Sequence, residues 1–274
     1  MIQAHLACPA CKADIRATER EYACTSCGAR GEIRDDVFLA SPMAAGHYFD
    51  GLHEVMQEGN DSPEICALCY DQQSRLLQDA IHPGDIVLDI GCGPVIHFDK
   101  PNGCVLIGID PSFESIRANR ALDIRVFGSA VSLPLRAASV NRIALFYSIH
   151  HMIGRTVAES RDNVTAVLRE CARVMRPGGT LTVFDVSPWW PVWQAQRLLW
   201  NQARRALDSK LDMFFWREGA LRHLAEGAFT PKRVETETFR ISPFLVFPPV
   251  FSLPGFKLPR FLYPFDIKMY KWSF

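Results

Sequence analysis

From residue 85 onward the chain alternates short apolar runs with segments whose apolar positions recur every three to four residues. Ile86-Val87-Leu88-Asp89-Ile90 and Val105-Leu106-Ile107-Gly108-Ile109 are nearly continuous apolar runs, which is how strands covered on both faces read. Val164, Val167, Leu168, Cys171 and Met175 share one helical face, and Pro177-Gly178-Gly179 is predicted to end that helix before the apolar run Leu181-Thr182-Val183-Phe184. A further strand is expected over Arg233 to Arg240. Asp266 to Phe274 alternates polar and apolar residues, as a returning last strand does. Strands that alternate with helices predict an α/β domain built on a doubly wound, mostly parallel sheet.

Two stretches break this alternation. Residues 187–230 hold Trp189, Trp190, Trp193, Trp200 and Trp216, five of the six tryptophans. Trp193, Trp200 and Leu207 recur at sevenfold spacing with Leu199, Ala203 and Ala206 alongside. That spacing predicts a helix with one apolar face beside Arg197, Arg204 and Arg205, either packed on the sheet or covering an apolar acceptor. Residues 241–265 are too rich in proline for a helix and too apolar for a solvated tail. They are expected to form an apolar lid that wraps the domain, lines an acceptor site or makes peripheral contact with a membrane.

Residues 1–46 show neither pattern. Tyr22-Ala23 and Glu32-Ile33-Arg34 read as short strand pieces with turns at Gly28 and Gly31, and so small a module cannot bury enough apolar surface to fold alone. Four of the nine cysteines, Cys8, Cys11, Cys24 and Cys27, form a C-x2-C, x12, C-x2-C set. A tight turn in each C-x-x-C aims two thiolates at one point. Two such knuckles make a tetrahedral sulfur cage suited to a structural Zn2+ ion, whose binding would supply much of the folding free energy. Cys66-Ala67-Leu68-Cys69 has no matching second pair and is expected on a buried helix face; Cys92, Cys104 and Cys171 fall at packing positions. The chain therefore divides into a zinc ribbon at 1–46, a helical connector or cover at 47–84, and a main domain at 85–274.

Charge and cysteine usage narrow the partners and the compartment. Thirty basic residues balance thirty acidic ones, and within residues 1–46 five basic residues face six acidic ones. No surplus positive field gathers a polyanion, so nucleic acid is the less favoured partner. The start, Met1-Ile2-Gln3-Ala4-His5, lacks the basic residues and apolar run of a signal peptide, and reduced thiols fit a cytoplasmic protein.

The turn Gly91-Cys92-Gly93 follows the first strand, at the sheet end where open α/β sheets bind ligands and where glycine lets backbone approach closely. Asp110 closes the second strand 21 positions after Asp89, placed to accept hydrogen bonds from both ribose hydroxyls of a nucleoside. A dinucleotide fingerprint needs a third glycine where this chain has Ile96, which disfavours a pyrophosphate-bearing cofactor.

The segment Asp89 to Gly93 resembles the first motif of the class I S-adenosylmethionine-dependent methyltransferases, of the type 11-like group. Gly108-Ile109-Asp110-Pro111-Ser112 resembles the family's ribose motif, and Phe127 to Pro134 its adenine motif. Arg142 to His151 is similar to the fourth strand with its loop, and Leu168 to Leu181 to the helix, turn and fifth strand. These five segments, in order, span about residues 80 to 186. The resemblance implies a seven-stranded Rossmann-like sheet and S-adenosyl-L-methionine held by Asp89, Gly91, Cys92, Gly93, Asp110, Pro111, Ser129, Ala130 and Tyr147. Where many relatives carry an acid near the adenine amine, this chain has Ser129, whose hydroxyl or the Ala130 N–H would substitute. Val95 to Pro101 makes a poor first helix.

In this family the loop after the fourth strand meets the acceptor. Here it holds His150 and His151, either a general base or packing groups, and it lacks the Asn/Asp-Pro-Pro-Tyr/Phe sequence of amide- and base-nitrogen methylating relatives. The expected activity is methyl transfer to oxygen or carbon of a small hydrophobic or lipid-like acceptor. One alternative is an RNA base methyltransferase, because a leading zinc ribbon resembles the arrangement in ribosomal RNA guanine methyltransferases. Another is a non-catalytic protein with a vestigial cofactor fold, whose ribbon binds a protein partner as small zinc activator subunits do.

Overall fold

A computed structural model describes residues 2–41, 70–207, 212–239 and 264–274. The Cys66–Cys69 pair, most of the 47–84 connector and nearly all of the 241–265 lid lie outside the described residues. The N-terminal module begins with α1 (Ile2–His5) and continues through β1 (Ile15–Ala17), β2 (Glu21–Cys24), β3 (Arg30–Arg34) and β4 (Val37–Leu39), each strand antiparallel to the one before. After α2 (Asp71–Gln78) come β5 (Ile86–Ile90), β6 (Val105–Asp110), α3 (Phe113–Ala118), β7 (Ile124–Phe127), β8 (Val140–Phe146) and α4 (Val157–Val174). The chain then runs through β9 (Met175–Pro188), α5 (Trp190–Leu207), α6 (Glu218–Ala228), β10 (Arg233–Phe239) and β11 (Phe265–Ser273).

Seven strands in the order β7-β6-β5-β8-β9-β11-β10 make the main sheet, and only β11 runs against its neighbours. Every residue of β5 is buried, as a central strand covered on both faces requires. Its alternate residues serve two cores. Leu88 and Ile90 join the α4 face of Val164, Val167, Leu168 and Cys171 on one side, while Val87 joins Leu77 of α2 and Ile116 of α3 on the other. The sheet does not stop at β7. β4 pairs parallel to it, Phe38 opposite Val126, so the cysteine module prolongs the main sheet to eleven strands. Tyr22 ties the join: its ring stacks on Phe38 at 4.1 Å and its hydroxyl donates to Leu39 O at 3.0 Å.

Local chemistry sets the helix ends. Thr156 caps α4 by accepting from Glu159 N at 3.1 Å, and Ser112 caps α3 by accepting from Ser115 N at 3.2 Å. α4 ends at Val174, earlier than Pro177-Gly178-Gly179 predicts. Met175 already has extended backbone and begins β9, and Gly178, at φ +81°, bends within that strand's range. No helix fills the interval between β5 and β6, as the poor pattern of Val95 to Pro101 predicts.

The apolar face of α5 is narrower than its sequence spacing suggests. Trp193 and Trp200 are buried against Phe214 and Trp216, but Leu199 is 61% exposed and Leu207 48%. Leu199 sits about 100° around the helix from Trp200, and Leu207 is the last residue of the helix.

Candidate active site

The carboxyl ends of β5, β6 and β8 open on a cavity of about 330 Å³, where strand order reverses direction across β5 and β8. Asp89, Gly91, Cys92, Gly93, Asp110, Pro111, Ser129, Ala130 and Tyr147 all line it, so nine residues taken from four separate segments meet at one cavity. The turn after β5 depends on glycine. Gly91 and Gly93 have φ of +70° and +57°, and a Cβ on Gly91 would fall 2.5 Å from Ser148 Cβ. Ser148 in turn donates through Oγ to Ile90 O at 2.8 Å, locking the β5 turn to the β8 turn.

Asp110 holds this turn from the end of β6. Its carboxylate accepts from Gly93 N at 2.9 Å and Ser112 N at 2.8 Å, while Asn119 Nδ2 donates to Gly93 O at 3.0 Å. A carboxylate has about four acceptor sites, so the group that braces the loops can also take hydroxyl donors from a ligand. Ser129 Oγ accepts from Val131 N at 3.4 Å and caps the 3-10 turn Ala130–Ser132. Its hydroxyl proton remains available to an acceptor in the cavity.

Asp89 is 3% exposed, and its Oδ1 has no hydrogen-bond partner among the described residues. Burial, and secondarily the Asp110 charge, raise its pKa to about 7. Two carboxylates beside one cavity, one of them short of a partner, suit a cationic ligand group. The sign of the pH dependence follows. Protonated Asp89 favours the fold below the ordinary carboxylate range, and this contribution is lost as pH rises through about 7. Binding of a cation needs the ionised form, so affinity for a ligand that carries an ammonium group should rise between about pH 6 and 8. Calorimetric titrations across that range, with Asp89→Asn expected to flatten the rise, check it.

The far end of the cavity is aromatic. Tyr147, a non-glycine residue at φ +49°, is fixed by its N–H donating to Phe184 O at 2.8 Å. Tyr70 meets it edge to face at 5.7 Å and stacks on His97 at 3.5 Å, and burial lowers the His97 pKa to about 4.

The two histidines after β8 have different surroundings. His151 lines the cavity, and its Nδ1 donates to Asp212 O at 3.1 Å. Burial, then the neighbouring His150, lower its pKa to about 3, so at neutral pH it is an uncharged ring of little basicity. His150 lies behind it, ring centroids 4.3 Å apart, packed also on Phe215. Its Nδ1 lies 2.6 Å from Asp185 Oδ1 on β9, both side chains buried. A carboxylate can only accept, so Nδ1 carries the proton and Nε2 of the neutral ring is the basic atom. Asp185 Oδ1 also accepts from Val186 N at 2.7 Å, while Oδ2 has no partner among the described residues.

Sequence reasoning missed Asp185, Tyr70 and His97. Asp185 carried a signal, an acid directly after the apolar run Leu181 to Phe184, but its partner lies 35 residues away and is reached only through β8–β9 pairing.

In the N-terminal module the Sγ atoms of Cys8, Cys11, Cys24 and Cys27 all lie within 4.8 Å of one another and can hold a metal ion. Cys8 and Cys27 are 3.8 Å apart, and Cys11 and Cys24 3.4 Å. Backbone N–H groups of Cys27 and Ser26 point at Cys24 Sγ and lower its pKa to about 6, favouring the thiolate a metal needs.

Residues 88–183 match the methyltransferase domain family. The chain is 35% identical over 141 residues to the 27-O-demethylrifamycin SV methyltransferase of Amycolatopsis mediterranei, covering 42% of this chain and 48% of that protein. It is 27% identical over 206 residues to the demethylmenaquinone methyltransferase of Corynebacterium glutamicum, covering 71% of this chain and 82% of that one. Among solved structures, a complex of the Haloferax volcanii Trm112 methyltransferase activator with a methyltransferase matches at a TM-score of 0.55 and 17% identity. That match covers 83% of this chain and 98% of the other, and shows the shared fold.

Proposed function

We propose, for a chain that belongs to the class I S-adenosylmethionine-dependent methyltransferases, that it methylates an oxygen or carbon atom of a small hydrophobic or lipid-like acceptor. The observation that carries this reading is the cavity walled by aromatic rings, with the buried His150–Asp185 pair one ring behind its lining residue His151. A vestigial fold is set aside, because the family membership is that of an enzyme.

The residues present fit the donor. Gly91 to Gly93 would admit the donor close to the backbone, Asp110 would accept from its ribose hydroxyls, Ser129 and the Ala130 N–H would serve its adenine, and ionised Asp89 would pair with its α-ammonium. Cys92 and Pro111 line the cavity, and the Tyr147 ring would supply an aromatic surface for the charged sulfur. When bound, S-adenosylmethionine supplies an electrophilic methyl group whose bonding pair stays with sulfur as the methyl leaves. The chain's own task is to align acceptor and methyl in line and to remove one proton. In this reading His150, one ring behind the cavity wall, would take the acceptor proton through Nε2, and Asp185 would hold the ring in the required tautomer and stabilise its charged form. His151, uncharged and fixed by Asp212 O, walls the space in front of it.

The cysteine quartet is assigned structural zinc. A tetrahedron with bonds of about 2.3 Å has edges of about 3.8 Å, which the Cys8–Cys27 separation of 3.8 Å matches and the Cys11–Cys24 separation of 3.4 Å approaches. One relative is named for 27-O-demethylrifamycin SV and another for demethylmenaquinone, which supports a small-molecule acceptor. Peripheral membrane contact fits α5, whose outer face exposes Trp190, Leu198 and Leu199 and which carries three arginines and no acid. No helix among the described residues is long and apolar enough to cross a membrane. We place the enzyme in the cytoplasm, where its thiols stay reduced.

The test is incubation with methyl-labelled donor and parallel lipid, small-metabolite and RNA fractions. Label is expected in the lipid or small-metabolite fraction. Label confined to RNA overturns the acceptor reading in favour of RNA base methylation.

A further inference from the structure

The turn that walls the adenine end of the cavity is built on two supports. From below, Leu133 N donates to Glu170 Oε2 at 2.7 Å, and Arg173 of α4 donates to Leu133 O and Leu135 O at 3.0 and 2.8 Å. From the other side comes the cysteine module. Ala7 N donates to Pro134 O at 2.8 Å, Leu6 bridges Leu135, and Lys12 Nζ donates to Ser132 Oγ at 2.7 Å. Leu6, Ala7 and Cys8 are completely buried in this contact.

The same knuckle that carries two metal ligands therefore grips the turn. Lys12 follows Cys11 directly, its N–H donates to Cys8 O at 2.9 Å, and it adopts φ +62°, a left-handed conformation the knuckle imposes. The module also reaches the start of the turn: Ala40 N donates to Phe127 O at 2.9 Å, and a Cβ on Gly128 would meet Ala40 Cβ at 3.1 Å. Gly128, Ser129, Ala130 and Val131 all line the cavity. A metal ion that fixes the knuckle thus fixes one face of the adenine wall, with no ligand atom of its own in the pocket.

We infer that the cysteine module positions the cofactor pocket: Lys12 holds the Ser129–Ser132 turn in its binding conformation, so that metal in the sulfur cage and cofactor in the cavity strengthen each other's binding. The inference rests on the reading of the cavity as the methyl-donor site. Lys12 is a positioning residue, since it touches the turn and not the cofactor. Coupling between two binding sites is reciprocal, so each ligand must change the affinity of the other by the same factor.

The experiment uses the full-length, zinc-loaded chain titrated calorimetrically with S-adenosylhomocysteine. Lys12→Met keeps the apolar stem but loses the donor, and Ser132→Ala removes the acceptor while leaving the module untouched. Each should weaken binding by about three- to tenfold, and the double variant by no more than the stronger single one. Arg34→Ala, on the module's outer surface, should leave affinity unchanged. Zinc removal by a chelator should weaken binding at least as much as Lys12→Met, and saturating S-adenosylhomocysteine should tighten zinc by the same factor in a chelator competition. Zinc content and thermal midpoint report whether each variant is folded. Affinities within about twofold of wild type for both Lys12→Met and Ser132→Ala overturn the inference alone. Zinc affinity indifferent to S-adenosylhomocysteine overturns it as well. A wild-type chain that binds no S-adenosylhomocysteine overturns the pocket reading and the coupling with it.

Discussion

Asp185→Asn is expected to lower kcat by about 10²- to 10⁴-fold while leaving affinity for S-adenosylhomocysteine within about threefold, because the substitution changes the base and not the donor site. An amide at this position can turn its NH2 toward His150 Nδ1, which then becomes the acceptor and leaves the proton on Nε2, the atom that must receive one. The side chain keeps its shape in a fully buried place, so the loss is one of tautomer and charge rather than packing. His150→Ala should cost a similar factor, and the double variant little more, as expected of groups that act as one unit. The measurement is initial rate of label transfer into whichever fraction accepts it, as a function of pH. Independent, multiplying losses would show that the two residues do not act as a pair. Unchanged kcat in Asp185→Asn would refute a base role for His150.

Asp110→Ala should raise the dissociation constant for S-adenosylmethionine by about 10²-fold or more, from the loss of charge-assisted hydrogen bonds to ribose hydroxyls worth roughly 1.5–3 kcal/mol each. It should also destabilise the unliganded chain by about 2–4 kcal/mol, since the N–H groups of Gly93 and Ser112 lose their partner in a buried place. Calorimetry reads the first effect and urea denaturation the second. A stability loss with unchanged affinity would leave Asp110 as a loop brace and refute its ribose role.

The parts of this fold legible in the sequence are those whose physics is local. β5, β6 and the last strand announce themselves by apolar runs or alternation, because central strands and a returning strand must bury those positions wherever they pair. The positive φ values at Gly91 and Gly93 are likewise a property of the turn itself. The end of α4 is not legible locally, because Pro177-Gly178-Gly179 is a strong stop signal whereas the end at Val174 is set by pairing of Met175 with Val140. Residues made important by distant partners stayed hidden. Asp185 gains meaning only beside His150, and Lys12 only beside Ser132, 120 positions away. The cysteine spacing revealed a cage but not that β4 would continue the main sheet, since three residues, Val37 to Leu39, carry no sign of which edge they will join.

The claim beneath all of these is that the cavity at the Gly91–Gly93 turn holds the methyl donor. Calorimetric titration of the zinc-loaded, full-length chain with S-adenosylmethionine, set against a nicotinamide dinucleotide, tests it most directly. One S-adenosylmethionine bound per chain, with no heat from the dinucleotide, is the predicted result. Binding of the dinucleotide, or no binding of S-adenosylmethionine by the folded, metal-loaded protein, would contradict it.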